Sequence, residues 1–339
     1  MARPLDILVV GGGSWGTALA SILAGLGRKV RLCVRRPEQA DEINTLHTNG
    51  RYLPGAALPQ NLSATADLAG SVAEAAVILV VVPSKHFRTT ARAVGERAAG
   101  DQIIVHATKG IEIETFKRMS EVLREETSVL KIGVLSGPNL AKEIVAGQPA
   151  GALVASRYDE VVRTMKDLFT GPRFRLYGSR DVVGTEIAGS FKNVIALAAG
   201  AVDGMGLGNN TKSLLVTRGL SEMARFGVAL GADVFTFAGL AGIGDLMVTC
   251  VSPLSRNHQV GERVGKGERL DDVLASMPYV AEGVPTTAAI HRQARKMGLE
   301  LRIVSAVHAC IHEGKTAREA ITELMSRPAG EELGALVYK

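Results

Sequence analysis

The chain has 339 residues, 46% of them apolar and 22% charged, which excludes a disordered or fibrous protein. At roughly 150 residues per domain it should form about two domains, large enough to need no disulfide or metal staple. The net charge of +5 is too small for a polybasic binder, and it raises the question of whether the surplus cations gather at one anionic site.

The opening stretch through Gly13 has no secretory core, because Asp6 interrupts the apolar run and glycines end it. Leu5–Val10 reads as a strand and Gly16–Leu26 as a helix. Lys29–Val34 is a second strand, and Pro37–Leu46 a helix opened by its proline. Arg51–Leu62, with Pro54, Gly55 and Pro59, is a loop. Val77–Val82 is apolar at every position, as a strand covered on both faces must be. His86–Ala98 and Phe116–Glu126 read as helices. Gln102–His106, Lys131–Leu135, Ala152–Ala155 and Phe174–Leu176 read as strands. This alternation predicts a doubly wound, Rossmann-like parallel sheet over residues 1–180, with helices on both faces. Beyond it, Thr185–Val202, Lys212–Leu230, Asp271–Ala275, Thr286–Met297, Ile303–Glu313 and Ala317–Met325 all read as helices, so 181–339 should be a helical domain. Gly231 and Gly298 sit where helix C-caps are expected. The longest apolar runs, Ala75–Val82 and Val194–Val202, are far shorter than the ~20 residues of a membrane helix. Cys33, Cys250 and Cys310 are far apart with no CxxC, so buried thiols in a reduced, cytoplasmic setting are expected, without a zinc site. His308 and His312 share a helix face but have no evident third ligand.

Gly11-Gly12-Gly13-Ser14-Trp15-Gly16 fits G-x-G-x-x-G between a strand and a helix. Gly11 would allow the tight turn, Gly13 the approach of a pyrophosphate, and Gly16 close helix–strand packing; the helix N-terminus then faces the phosphates. At the end of the second strand Arg35 and Arg36 stand where an acid would hold an NAD ribose, which favours NADP over NAD. A pyridine nucleotide implies hydride transfer, so a group that polarises a carbonyl is needed. Lys109 follows a strand, where ligand crevices lie, and Lys192 sits in an otherwise apolar helix. A desolvated lysine near a second lysine would have a lowered pKa, suited to proton exchange. Three glycines precede Asp245, with Thr249 one turn beyond. Ser255-Arg256-Asn257, read as a loop, sets a guanidinium fork between two neutral donors, a fit for phosphate.

Taken in order, GGGSWGTALA (Gly11–Ala20), TKG (Thr108–Gly110), SGPNLAKE (Ser136–Glu143), SFKN (Ser190–Asn193), GLGNNTK (Gly206–Lys212), GLAGIGDL (Gly239–Leu246) and the SRN triplet resemble the bacterial NAD(P)-dependent glycerol-3-phosphate dehydrogenases over nearly the whole chain. The resemblance implies reduction of dihydroxyacetone phosphate to sn-glycerol 3-phosphate. Lys192 falls on the catalytic lysine, and Lys109 on the lysine touching cofactor and substrate. Gly137, Asn139, Asp245, Ser255, Arg256 and Asn257 fall on the substrate site. Ser14, Trp15, Ala141, Arg256, Val280 and Glu282 fall on cofactor contacts. Three departures stand out: Gly12 for the usual Ala, Asn139 for Ser or Thr, and Arg36 for a small or acidic residue. Competing readings are a two-domain β-hydroxyacid dehydrogenase, which would need a carboxylate clamp, and a non-catalytic nucleotide-sensing module, which should lack Lys109 and Lys192. A nucleic-acid binder has little support in a chain with few aromatics and no basic stripe. No membrane insertion is expected, a homodimer is, and Arg35, Arg36, Lys109, Lys192 and Arg256 are expected to serve one cleft.

Overall fold

A computed structural model describes residues 5–277, 281–326 and 328. The chain divides into two compact units, residues 1–109 with 117–182, and residues 110–116 with 183–339.

Unit 1 alternates strands and helices: β1 (Leu5–Val10), α1 (Ser14–Gly25), β2 (Val30–Cys33), α2 (Pro37–Leu46), β3 (Ser63–Thr65), α3 (Leu68–Glu74), β4 (Ala75–Val80), α4 (Phe87–Gly95), β5 (Ile103–His106), α5 (Met119–Glu126), β6 (Lys131–Ser136), α6 (Ala141–Val145), β7 (Ala150–Ser156), α7 (Asp159–Phe169) and β8 (Phe174–Ser179). They form one eight-stranded sheet in the order β3-β2-β1-β4-β5-β6-β7-β8. The first six strands have the Rossmann order, with the reversal between β1 and β4. Successive residues of β1 feed opposite faces: Ile7 and Val9 join one buried cluster with Leu19 and Leu23 of α1, while Leu8 and Val10 join another with Phe87 and Ala91 of α4. The sheet is therefore covered on both sides, as its unbroken apolar strands require.

The sheet is parallel as expected except at one pairing. β7 runs antiparallel to β6, pairing Gly133 with Ser156 and Ser136 with Leu153. The link from β6 to β7 holds only the five-residue α6, too short a helix for a βαβ crossover. The short elements β3, α3 and α6 and the longer α7 were not foreseen.

Unit 2 has helices as its regular elements among the described residues: α8 (Val182–Gly204), α9 (Asn209–Ala229), α10 (Asp245–Val251), α11 (Arg256–Gly265), α12 (Leu270–Ser276), α13 (Gly283–Lys296), α14 (Arg302–His312) and α15 (Ala317–Ser326), with short 3-10 and π turns over Val234–Gly244 and a turn in the 110–116 segment. Gly231 and Gly298 adopt φ of +90° and +67°, the left-handed conformation that ends a helix. α8 is long and apolar enough to span a membrane by length and composition, yet 83% of that window is buried in the unit's core. Ile111 packs into the same core. Phe116, expected to open a helix, instead has φ of +61° and stacks edge-on against Phe226. α5 begins three residues later.

α8 and α11 lie side by side, running in the same direction, at backbone contact. A Cβ on Gly200 would fall 2.0 Å from the His258 carbonyl oxygen, and one on Gly204 2.0 Å from that of Glu262. From the other side, a Cβ on Gly261 would fall 1.9 Å from the Leu197 oxygen, and one on Gly265 2.4 Å from that of Ala201. Two G-x-x-x-G faces thus meet, each letting the other's backbone approach.

Candidate active site

The glycine loop of unit 1 follows β1 at the point where strand order reverses. Gly11 has φ of +121°, and a Cβ there would lie 2.2 Å from the Val81 oxygen. A Cβ on Gly16 would lie 1.9 Å from the Gly11 oxygen. Both glycines are demanded by the protein's own packing. Gly12 is too: its missing Cβ would meet Val34 Cγ1 at 2.4 Å and Gln39 Nε2 at 2.8 Å, so an alanine here would force those side chains to shift. Its carbonyl is held by the buried amides of Gln39 and Asn49, at 2.6 and 3.1 Å. Ser14 Oγ donates to the Tyr52 carbonyl at 2.8 Å. These three props come from α2 and the loop beyond it, and the motif alone gave no sign of them.

Gly13 differs, because a Cβ there would meet nothing within 4 Å. It is the N-cap of α1 with no side-chain cap, and the first turn of α1 carries no acid. The backbone donors at this helix start face open space left by the absent side chain, which is the arrangement an anionic pyrophosphate requires. The residues present therefore fit a dinucleotide. Arg35 is exposed and Arg36 half-buried at the end of β2. Neither guanidinium has a hydrogen-bond or ion-pair partner among the described residues.

Farther along the same strand ends, Lys109 Nζ donates to the Gly137 carbonyl at 2.9 Å. Gly137 has φ of +140° beside Ala152. Asn139 Nδ2 donates to the Gly151 carbonyl at 3.0 Å, which leaves its buried Oδ1 without a partner. Ala141 opens α6. Residues of two separate motifs, Lys109 from one and Gly137 and Asn139 from the other, are thus brought to adjoining strand ends.

In unit 2, Lys192 is 6% exposed in the middle of α8. Its Nζ donates to Asp245 Oδ1 at 2.5 Å and to Thr249 Oγ1 at 2.7 Å. Asp245 opens α10 and is 1% exposed. Thr249, one turn on, donates in turn to the Asp245 carbonyl. Gly242 makes the approach possible, since a Cβ there would lie 2.1 Å from the Phe237 oxygen. Two buried charges survive here only because they pair and their remaining hydrogen-bond capacity is used. The partner of Lys192 within the unit is thus a carboxylate, not a second lysine. A neighbouring thiol, Cys250, is pushed up to about 12 by burial, so it stays protonated.

The Ser255–Asn257 triplet is not a loop. Ser255 caps α11 by accepting from the His258 N–H at 3.3 Å, and Arg256 and Asn257 form the first turn. The hydroxyl proton of Ser255 remains available to donate. Arg256 is exposed at the positive end of the helix, a position that favours an anion beside it. Asn257 donates to Asn193 Oδ1 at 3.0 Å and accepts from the Gly283 N–H at 2.9 Å, so it ties α8, α11 and α13 together. Glu282 immediately precedes that Gly283 as the N-cap of α13, half-buried. Val280 lies outside the described residues. Asn193 and Thr249 were left without a role by sequence reasoning, although each was visible as a neighbour of an assigned residue.

A glycine loop built for a pyrophosphate on a Rossmann sheet, with a buried Lys–Asp–Thr cluster in a helical unit, defines a two-domain dehydrogenase of the nicotinamide-dinucleotide class. Comparison with known families is consistent with this. The N-terminal and C-terminal domains of NAD-dependent glycerol-3-phosphate dehydrogenase match residues 6–162 and 181–322, so the chain belongs to that family. It is 45% identical over 330 residues to a glycerol-3-phosphate dehydrogenase [NAD(P)+] of Nitratidesulfovibrio vulgaris, covering 97% of this chain and all of the relative. It is 45% identical to one from Bacillus anthracis, covering 97% and 98%. The crystal structure of glycerol-3-phosphate dehydrogenase from Coxiella burnetii superposes with a TM-score of 0.91 at 36% identity, covering 95% of this chain and 99% of that one. A D-mandelate dehydrogenase solved with NADH shares the fold alone, with a TM-score of 0.59 at 11% identity.

Proposed function

We propose that the chain catalyses the reversible, NAD(P)H-dependent reduction of dihydroxyacetone phosphate to sn-glycerol 3-phosphate, a precursor of glycerophospholipids. The observation that carries the reading is the buried Lys192–Asp245–Thr249 cluster, an ammonium held in fixed orientation inside an otherwise apolar helix. The nicotinamide, when bound, supplies the hydride to the C2 carbonyl. Lys192 Nζ gives its proton to the C2 oxygen and stabilises the charge growing there. Asp245 and Thr249 hold that nitrogen in place. Lys109, Gly137 and Asn139 contact the ligands at the strand ends of unit 1. Arg256 grips the phosphate, with Ser255 and Asn257 beside it, and this remote binding serves to orient the reacting carbon. The backbone of Gly11–Gly16 holds the pyrophosphate, with Ser14 and Trp15 at the helix start. Arg35 and Arg36 hold a 2′-phosphate, which makes NADP the preferred cofactor and NAD the lesser one. Ala141, Arg256, Val280 and Glu282 complete the cofactor contacts.

The same proposal places the enzyme in the cytoplasm as a homodimer that does not insert into membranes. Its support is the set of unpaired thiols, the buried apolar window of α8, and the exposed Phe235, Met247 and Val251 of unit 2. The test follows the absorbance of NADPH, and separately of NADH, on addition of dihydroxyacetone phosphate. Oxidation of both is expected, at lower KM for NADPH. No oxidation of either rejects the reading.

A further inference from the structure

The segment Gly206–Lys212 links two helices of unit 2. It turns the chain from α8 into α9, with Gly206 at φ of +71°, and sets Lys212 in the first turn of α9 facing the end of α8. There Asp203, in the last turn of α8, accepts from Lys212 Nζ at 2.6 Å on Oδ1 and at 2.7 Å on Oδ2, and its Oδ2 also meets His258 Nε2 at 2.7 Å. His258 is buried and stands two residues after Arg256. We infer that Asp203, His258 and Lys212 form a positioning set that fixes the register of α11 on α8, and thereby the aim of Arg256; this rests on the phosphate role proposed above.

The physical need comes from the glycines. At Gly200, Gly204, Gly261 and Gly265 the contact is backbone to backbone, so no side chain projects from these four positions to stop one helix sliding or turning on the other. Directed polar ties must do so. Asn193–Asn257 supplies one at the start of the pair, and His258–Asp203 a second three turns along α8. Asp203 and Lys212 keep 27% and 20% of their side chains exposed, so their ion pair adds little stability, and its geometric constraint is the larger effect. Burial alone would raise the Asp203 carboxyl, but the bonds from Lys212 and His258 outweigh it and hold it below its usual range. The carboxylate is thus charged throughout the neutral range.

The experiment measures Kd for sn-glycerol 3-phosphate by calorimetry, and kcat and KM for dihydroxyacetone phosphate, in wild type, His258→Ala, Arg256→Ala and the double variant. His258→Ala should raise Kd and KM roughly tenfold or more, with kcat changed less than about threefold. His258→Gln, which keeps a donor, should recover most of the loss. Because the set acts through Arg256, His258→Ala should cost less than about twofold in the Arg256→Ala background. Equal losses in both backgrounds, or a fall in kcat alone, overturn the inference and leave the proposed function standing. A wild type that binds no glycerol 3-phosphate overturns both. Should His258→Ala not fold, Lys212→Met removes the ammonium from the exposed side of the same carboxylate. It should weaken Kd in the same direction by less, and an unchanged Kd in that folded variant overturns the inference.

Discussion

Gly12 and Gly13 lack side chains for opposite reasons, and the difference can be measured. Gly12→Ala drives a methyl into Val34 and Gln39 and should destabilise unit 1 by about 1–3 kcal/mol, the usual cost of overpacking. Gly13→Ala meets no protein atom, so stability should stay within about 1 kcal/mol of wild type while Kd for NADPH rises at least tenfold. Urea unfolding alongside cofactor titration separates the two; normal NADPH affinity in Gly13→Ala would remove the pyrophosphate assignment. A similar separation applies at Lys192. Lys192→Met takes from the buried Asp245 carboxylate the ammonium it pairs with, at a cost of about 3–5 kcal/mol, and should lower kcat by about 10²–10⁴. Adding Asp245→Asn should restore most of the stability and none of the rate. A recovered kcat in the double variant would show that Lys192 acts only as a structural partner.

Between elements, the contact of α8 with α11 leaves no room for an added side chain. In Gly261→Ala the new methyl faces Leu197 backbone, which cannot yield as a side chain would, so a loss at or above about 3 kcal/mol is expected. Gly25→Ala, in the last turn of α1 with nothing within 4 Å, should instead raise stability by about 0.4–1 kcal/mol. Urea midpoints of opposite sign would confirm the contrast. The junction of α9 with α14 is pH-sensitive. Glu222 is buried and accepts from the Ile303 and Val304 N–H groups at 2.8 and 3.2 Å, so it caps α14. Burial raises its pKa above the usual 4.5, and the two N–H bonds offset this only in part. An acid with a raised native pKa gives stability that is present below its unfolded value and lost as pH rises through its native one. Glu222→Gln should therefore flatten the fall in unfolding free energy above about pH 4.5, and an unchanged slope would reject the assignment. These junctions were poorly legible in the sequence. The glycines and Asp245 are visible, but the Ser-Arg-Asn triplet passes for a loop because it gives a cap signal only when the helix after it is recognised. The glycine-rich Val260–Gly267 hides that helix, since Val260 and Val264 are the only apolar side chains there and the rest of its contact with α8 is backbone at Gly261 and Gly265.

For the whole chain, what the sequence showed best were the features set by local periodicity. Strand–helix alternation gave the Rossmann sheet, and the run of amphipathic helices gave the second unit. What it could not show depended on partners distant in the chain: the reversal of β7, the props of Gln39 and Asn49 under Gly12, and the bonds of Asp203 to Lys212 and His258. The order of the core follows the same division. Unit 1 buries two clusters against its sheet, and unit 2 buries a separate one around α8. A ligand that binds the native state slows opening of the segments it holds, by up to about 2.7 kcal/mol at a hundredfold excess over Kd. Amide hydrogen exchange should therefore give two footprints. NADPH alone should protect Gly11–Gly16 and the residues around Arg35 and Arg36, while sn-glycerol 3-phosphate should protect α10, the first turn of α11 and the centre of α8 around Lys192. Protection of α10 and α11 by NADPH alone, equal to that by the phosphorylated substrate, would show that the division of ligands between the units is wrong even if the enzyme is active.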